Sequence, residues 1–89
     1  MARQIIAEFE EAQIGGPVAA ESLYRLGLRY ATGRGVDRDN VVAHKWFNLA
    51  AMRGCAGARD ERKALADEMT RDEVAEAQRQ AREWLDSLN

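Results

Sequence analysis

Residues 20–54 read AESLYRLGLRYATGRGVDRDNVVAHKWFNLAAMRG, two apolar helical stripes separated by the turn Gly33-Arg34-Gly35-Val36. Apolar side chains recur every three or four positions on both sides of the turn, which is the spacing of an amphipathic helix. A helix-loop-helix unit of roughly 35 residues is the period of helical repeat arrays. Such arrays offer extended binding surfaces. We therefore expect a small all-α interaction module.

The first helix of this unit is apolar on two faces, so we expect other elements to cover it on two sides. One face holds Leu23, Leu26 and Tyr30, and the other holds Tyr24, Leu28 and Ala31. Gly27 lies inside the helix although glycine costs roughly 1 kcal/mol there relative to alanine. We expect a neighbouring helix to approach too closely for a side chain at this position.

The turn and the second helix carry clear end signals. Gly33 and Gly35 end the first helix, and Asp39 or Asn40 can cap the second by accepting from its unpaired N–H groups. The inward positions of the second helix are Ala43, Trp46, Phe47 and Ala50, with Trp46 as the core anchor and Gly54 as a left-handed terminator. A phosphate loop is disfavoured because no strand precedes the glycines and no Gly-Lys-Ser/Thr follows them.

Three further helices are predicted outside this unit. A short helix over residues 1–16 is ended by Gly15-Gly16-Pro17. Its apolar positions are Ala2, Ile5, Ile6, Phe9 and Ala12. A helix rich in small residues follows Cys55, and the pattern Thr70-Arg71-Asp72-Glu73 is a capping box that starts the last helix. The stripe of that last helix holds Val74, Ala77, Ala81, Trp84, Leu85 and Leu88.

Length and composition indicate one small soluble domain. The chain has 89 residues, 31% of them charged, and a formal net charge of -2. Basic and acidic residues alternate, so no basic stripe for nucleic acid is expected. Apolar runs fall far short of the roughly 20 residues that span a bilayer. The apolar run Ile5-Ile6-Ala7 is followed at once by glutamates, unlike the apolar region of a secretory signal. The lone Cys55 cannot form an internal disulfide. Both observations favour a cytoplasmic location.

Residues 18–54 resemble the Sel1-like repeat, a relative of the tetratricopeptide repeat. The matching positions are Leu26, Gly27, Tyr30, Gly33, Gly35, Val36, Ala43, Trp46, Ala50 and Gly54. Residues 56–89 are similar to the stretch that closes many bacterial members, and we interpret them as a degenerate or capping repeat. The resemblance implies a short α-solenoid of about five helices in a single domain, 1–89, with residues 1–16 as the N-terminal helix.

The resemblance also implies a non-enzymatic adaptor or scaffold for protein complexes, which binds a protein or peptide and needs no cofactor. Carried onto this chain, the binding surface would use Glu21, Arg25 and Arg29, which lie four residues apart on the first helix of the repeat. The alternative is a solvated charged row that contains a Glu21–Arg25 pair.

Self-association is the second functional hypothesis. Solenoids generally need about three units to bury a continuous core, and this chain has one good unit. A second copy could supply the missing neighbour at Trp84, Leu85 and Leu88, giving a homodimer. The alternative is that these three residues pack internally on the preceding helix.

An enzyme is the competing class. Its best pair would be His44 with Cys55, but on one helix these residues would lie about 16 Å apart along the axis, too far for proton transfer. No pair of residues has the spacing of a metal site, so no metal is expected.

Overall fold

A computed structural model describes residues 19–88, and these form four α-helices with no strand among them. The helices are α1 (Ala20–Thr32), α2 (Asn40–Met52), α3 (Ala56–Ala66) and α4 (Arg71–Ser87). The all-α prediction is confirmed over this range. The sequence indicated about five helices, but the helix expected over residues 1–16 lies outside the described residues.

Helix α2 is the centre of the fold, since α1, α3 and α4 all pack against it. Its sequence explains this position because apolar residues point in several directions from its axis. The largest fully buried side chains are Trp46, Phe47 and Leu49 from α2, together with Leu23 from α1. One continuous core therefore forms around α2, and the other three helices all contribute buried residues to it.

The helix ends follow the signals in the sequence. Asp39 caps α2, its carboxylate accepting a hydrogen bond from the Val42 N–H at 3.1 Å. Thr70 and Glu73 form the predicted capping box of α4, with hydrogen bonds of 3.1 Å and 2.8 Å between side chain and backbone in both directions. Gly33 ends α1 in the left-handed region, at φ 75°. These caps satisfy backbone groups that a helix leaves unpaired and fix where the connecting loops begin.

Candidate functional site

The outer row of α1 contains the charged residues that the sequence singled out. Glu21, Arg25 and Arg29 are all exposed. The Arg25 guanidinium lies 2.6 Å from a Glu21 carboxylate oxygen, an ion pair between residues four apart. Exposed pairs of this kind contribute only a few tenths of a kcal/mol to stability. The row thus contains one weak, exposed ion pair.

A shallow open groove of about 730 Å³ lies at the C-terminal end of this row. We call it the arginine groove. Among residues 19–88, its lining consists of Arg25, Leu28, Arg29, Thr32, Arg34 and Gly35. Leu28 is half-buried against the core, so it offers an apolar surface among the three guanidinium side chains. The described part of the lining therefore brings three arginines together with the half-buried side chain of Leu28.

Arg34 reaches the groove because of the way α1 ends. The Arg29 carbonyl accepts hydrogen bonds from the Gly33 N–H at 2.8 Å and from the Arg34 N–H at 3.1 Å. This arrangement is typical of a helix whose C-terminal glycine adopts the left-handed conformation, and it folds the following residue back over the last turn. The Thr32 hydroxyl makes a further hydrogen bond in this last turn, donating to the Leu28 carbonyl at 2.8 Å. Arg34 consequently lies beside the last turn of α1.

The sequence identified Arg25 and Arg29 but missed Leu28, Thr32 and Arg34 as parts of one surface. Leu28 was assigned only to an apolar face, and Arg34 only to a turn. The signal that could have placed Arg34 is Gly33, because a left-handed C-terminal glycine turns the next residue back toward the helix. Glu21 belongs to the row but does not line the groove.

The candidate self-association residues lie in a different environment. Trp84 is 6% exposed and belongs to the core. Its ring meets that of Trp46 edge to face, with the centroids 5.6 Å apart and an interplanar angle of 82°. Leu85 is partly buried against the same cluster, whereas Leu88 is 38% exposed.

Helix α4 packs on α2 and not principally on α3, the neighbour that the sequence suggested. The physical reason lies in the side chains that each helix offers. The buried residues of α3 are Ala58 and Leu65, whereas α2 presents the large ring of Trp46. Aromatic pairs with this edge-to-face geometry are favourable beyond the area they bury. Of the three predicted self-association residues, Leu88 keeps an exposed apolar side chain.

His44 belongs to α2 and is buried in the core of the domain, and it does not line the arginine groove. It is 3% exposed, and burial together with the positive charge of Arg62 lowers the pKa of its imidazole. Cys55, the other member of the candidate catalytic pair, is half-buried after the end of α2. Within residues 19–88 no group of three or more His, Cys, Asp or Glu side chains is placed to hold a metal ion.

No helix in the described part of the chain has the length and apolar character needed to cross a membrane.

Helices α1 and α2 form a hairpin around the glycine turn, and the arginine groove lies on its first helix. Comparison with protein families gives a match to the Sel1 repeat over residues 20–55, which covers α1, the glycine turn and α2. Residues 20–55 therefore contain a match to one Sel1 repeat. Searches of curated proteins and of solved structures gave no match.

Proposed function

We propose that this chain is a non-enzymatic adaptor or scaffold that binds a protein segment in the arginine groove. Sel1 repeats generally mediate protein–protein interaction, which supports a protein partner rather than a small substrate. The observation that carries the proposal is the convergence of Arg25, Arg29 and Arg34 around Leu28 on the exposed side of α1. Charged side chains around an apolar contact are typical of surfaces that recognise peptides. Action in the cytoplasm, with no nucleic acid, belongs to the same proposal.

Charge reversal at the groove tests this proposal. The full chain is immobilised and used to capture proteins from a lysate, with the variant R25E/R29E compared with the wild type. Both positions are exposed, so the variant is expected to fold. We expect it to lose the partners that the wild type retains, because the substitutions remove two of the arginine side chains that line the groove. Capture of the same partners at the same yield would contradict the assignment of the groove.

A matched control is available on α3. Arg59 and Lys63 are also exposed and four residues apart, so R59E/K63E makes the same change of net charge on another helix. This control is expected to retain the partners. Loss of partners in both variants would indicate a non-specific charge effect and would also count against the groove.

The second candidate is a structural role through self-association. The observation in its favour is that Met52 and Leu88, at the C-terminal ends of α2 and α4, are large apolar residues with exposed fractions of 61% and 38%. Light scattering across a concentration series tests it. A mass that rises with concentration, and that Leu88→Asp returns to the monomer value, would support a homodimer. A constant monomer mass would exclude it.

A further inference from the structure

We propose that the helix predicted over residues 1–16 docks along α1, covers Leu28 and competes with a partner for the arginine groove. This N-terminal helix precedes the residues that the structure describes. Its placement follows from its sequence, from its connection to α1 and from the surface of α1. The competition rests on the proposed function, whereas the docking does not.

The described part of the groove lining comes from one side only. Its residues belong to α1 and to the turn that follows α1, and among residues 19–88 the helices α2, α3 and α4 contribute none. The outer surface of a single helix is convex, so these residues form one wall of the groove. A further helix laid beside α1 would form the opposite wall.

The second apolar face of α1 is only partly covered by the other described helices. Tyr24, Leu28 and Ala31 share this face, and each is half-buried. Tyr24 lies at the side nearer α3, and its ring centroid is 5.9 Å from that of Phe47. Leu28 follows one turn later, at the groove. A helix that is apolar on two faces needs a neighbour on each, and the place for one more neighbour is beside Leu28.

The N-terminal helix has an apolar stripe that matches this need. Ile5, Ile6 and Phe9 fall on one side of it at helical spacing. A short amphipathic helix of this kind is marginal by itself in water and gains its stability from packing of its apolar face. The stripe therefore requires an apolar surface within reach of the chain.

The connection to α1 is of the right length for an antiparallel pair of helices. Five residues, among them two glycines and a proline, separate Ile14 from Ala20. Antiparallel helices are commonly joined by loops of about this length. At 1.5 Å per residue, Ile6 lies about 12 Å before Ile14 and Leu28 lies about 12 Å after Ala20. Reversal of the chain at the loop therefore brings Ile6 level with Leu28.

The charges of the two helices are complementary in the same register. Phe9 and Arg25 are each five residues from the connection, a rise of about 7.5 Å. Glu8 and Glu10 flank Phe9, and at 100° per residue they border the two edges of the apolar stripe. One carboxylate therefore faces the side of α1 that carries Arg25. A guanidinium has five N–H donors, so the 2.6 Å pair with Glu21 leaves room for a second carboxylate.

Nuclear Overhauser effects in the full wild-type chain test the docking. We expect contacts from the Phe9 ring protons and the Ile6 methyl groups to the Leu28 methyl groups. A sample mixed from labelled and unlabelled chains separates contacts within one chain from contacts between copies. Contacts only between copies would assign the face to a second copy and overturn the docking. Contacts of the stripe with Met52 or Leu88 instead, or with no residue of the described helices, would also overturn it.

A charge placed in the stripe should release the N-terminal helix. Phe9→Asp adds a carboxylate to the stripe, and the control Gln4→Asp adds the same charge on the opposite side of the helix. We expect F9D to shift the methyl resonances of Leu28 and Q4D to leave them in place. The methyl resonances of Leu65, in the core between the described helices, should not move in either variant. Equal shifts of Leu28 in F9D and Q4D, or none in either, would overturn the docking.

The same two variants test the competition for the groove. In the capture experiment, F9D should retain partners at about two-fold higher yield or more than Q4D, because a larger fraction of the molecules has an open groove. If F9D and Q4D gave equal yields while R25E/R29E lost its partners, the competition would be wrong and the proposed function would stand. If R25E/R29E kept its partners while Phe9 contacted Leu28, the docking would stand and the proposed function would fail.

Discussion

A Cβ atom placed on Gly27 would lie 2.4 Å from Cδ1 and 2.5 Å from Cε1 of Phe47. Helices α1 and α2 therefore approach more closely at this point than any side chain on Gly27 would permit. The Phe47 ring is 1% exposed and packed in the core, so it has no free space into which to move. This confirms the expectation that Gly27 marks a close helix–helix approach.

Gly27→Ala is expected to destabilise the domain. The gain in helix propensity is about 1 kcal/mol, but overpacking against a buried ring costs typically 1 to 3 kcal/mol and more where the clash is severe. We expect a net loss of about 1 to 2 kcal/mol in the free energy of unfolding, measured by urea denaturation. Gly57→Ala is the matched control, because its Cβ would lie at an ordinary 3.6 Å from the Tyr24 hydroxyl. A variant G27A as stable as the wild type would contradict the close approach.

The second prediction concerns the Trp46–Trp84 pair. Trp46→Ala should lower the free energy of unfolding by about 3 to 5 kcal/mol by leaving a cavity, enough to unfold a small domain. Trp84→Ala should act in the same direction, whereas Leu88→Ala at the exposed end of α4 should change stability by less than about 0.5 kcal/mol. Thermal melting followed by circular dichroism measures all three. A melting temperature of W46A within a few degrees of wild type would refute its role as a core anchor.

The third prediction concerns the capping box at the start of α4. Thr70→Ala removes the side-chain acceptor of the Glu73 N–H, a hydrogen bond of 3.1 Å. The loss is expected to cost about 1 kcal/mol, the usual effect of an N-cap substitution by alanine. Gln78→Ala, at an exposed position in the middle of α4, is the control and should be near neutral. Equal stability of T70A and Q78A in urea denaturation would show that the cap contributes nothing.

Much of the local structure follows from the sequence because it depends on neighbouring residues. The stop at Gly33, the cap at Asp39 and the box at Thr70 each involve residues within about four positions, so a sequence pattern suffices to find them. The residue that packs against Trp84 could not be predicted from a local sequence pattern. Its contact with Trp46 joins residues far apart in the chain and depends on which helix offers a ring large enough to meet it.

The groove was predictable in part for the same reason. Arg25 and Arg29 share a face through helical spacing alone, whereas Arg34 joins them only because the backbone folds back at Gly33. The sequence offered two interpretations of the row Glu21, Arg25 and Arg29, a solvated charged row and a binding surface. The Glu21–Arg25 ion pair of the first interpretation is present in the structure.

His44 is a buried polar group in the centre of the fold. Its Nδ1 atom has no hydrogen-bond partner among the described residues. Burial in the core and the nearby charge of Arg62 both disfavour the imidazolium form and lower the pKa of His44. The unfolded chain lacks both effects, so there the histidine titrates near its ordinary pKa of about 6.5.

Stability is therefore expected to fall as the pH drops below about 6.5, because the unfolded state then binds a proton that folded His44 does not. The loss continues until the pH reaches the lowered pKa of the folded state. The hydrogen bonds from Arg79 and Gln80 hold the pKa of Glu76 at about 2, below this window. Urea denaturation of the wild type and His44→Gln at a series of pH values measures the effect. The wild type should lose more stability than H44Q between about pH 7.5 and 5.5, and equal slopes would show that His44 is not the group responsible.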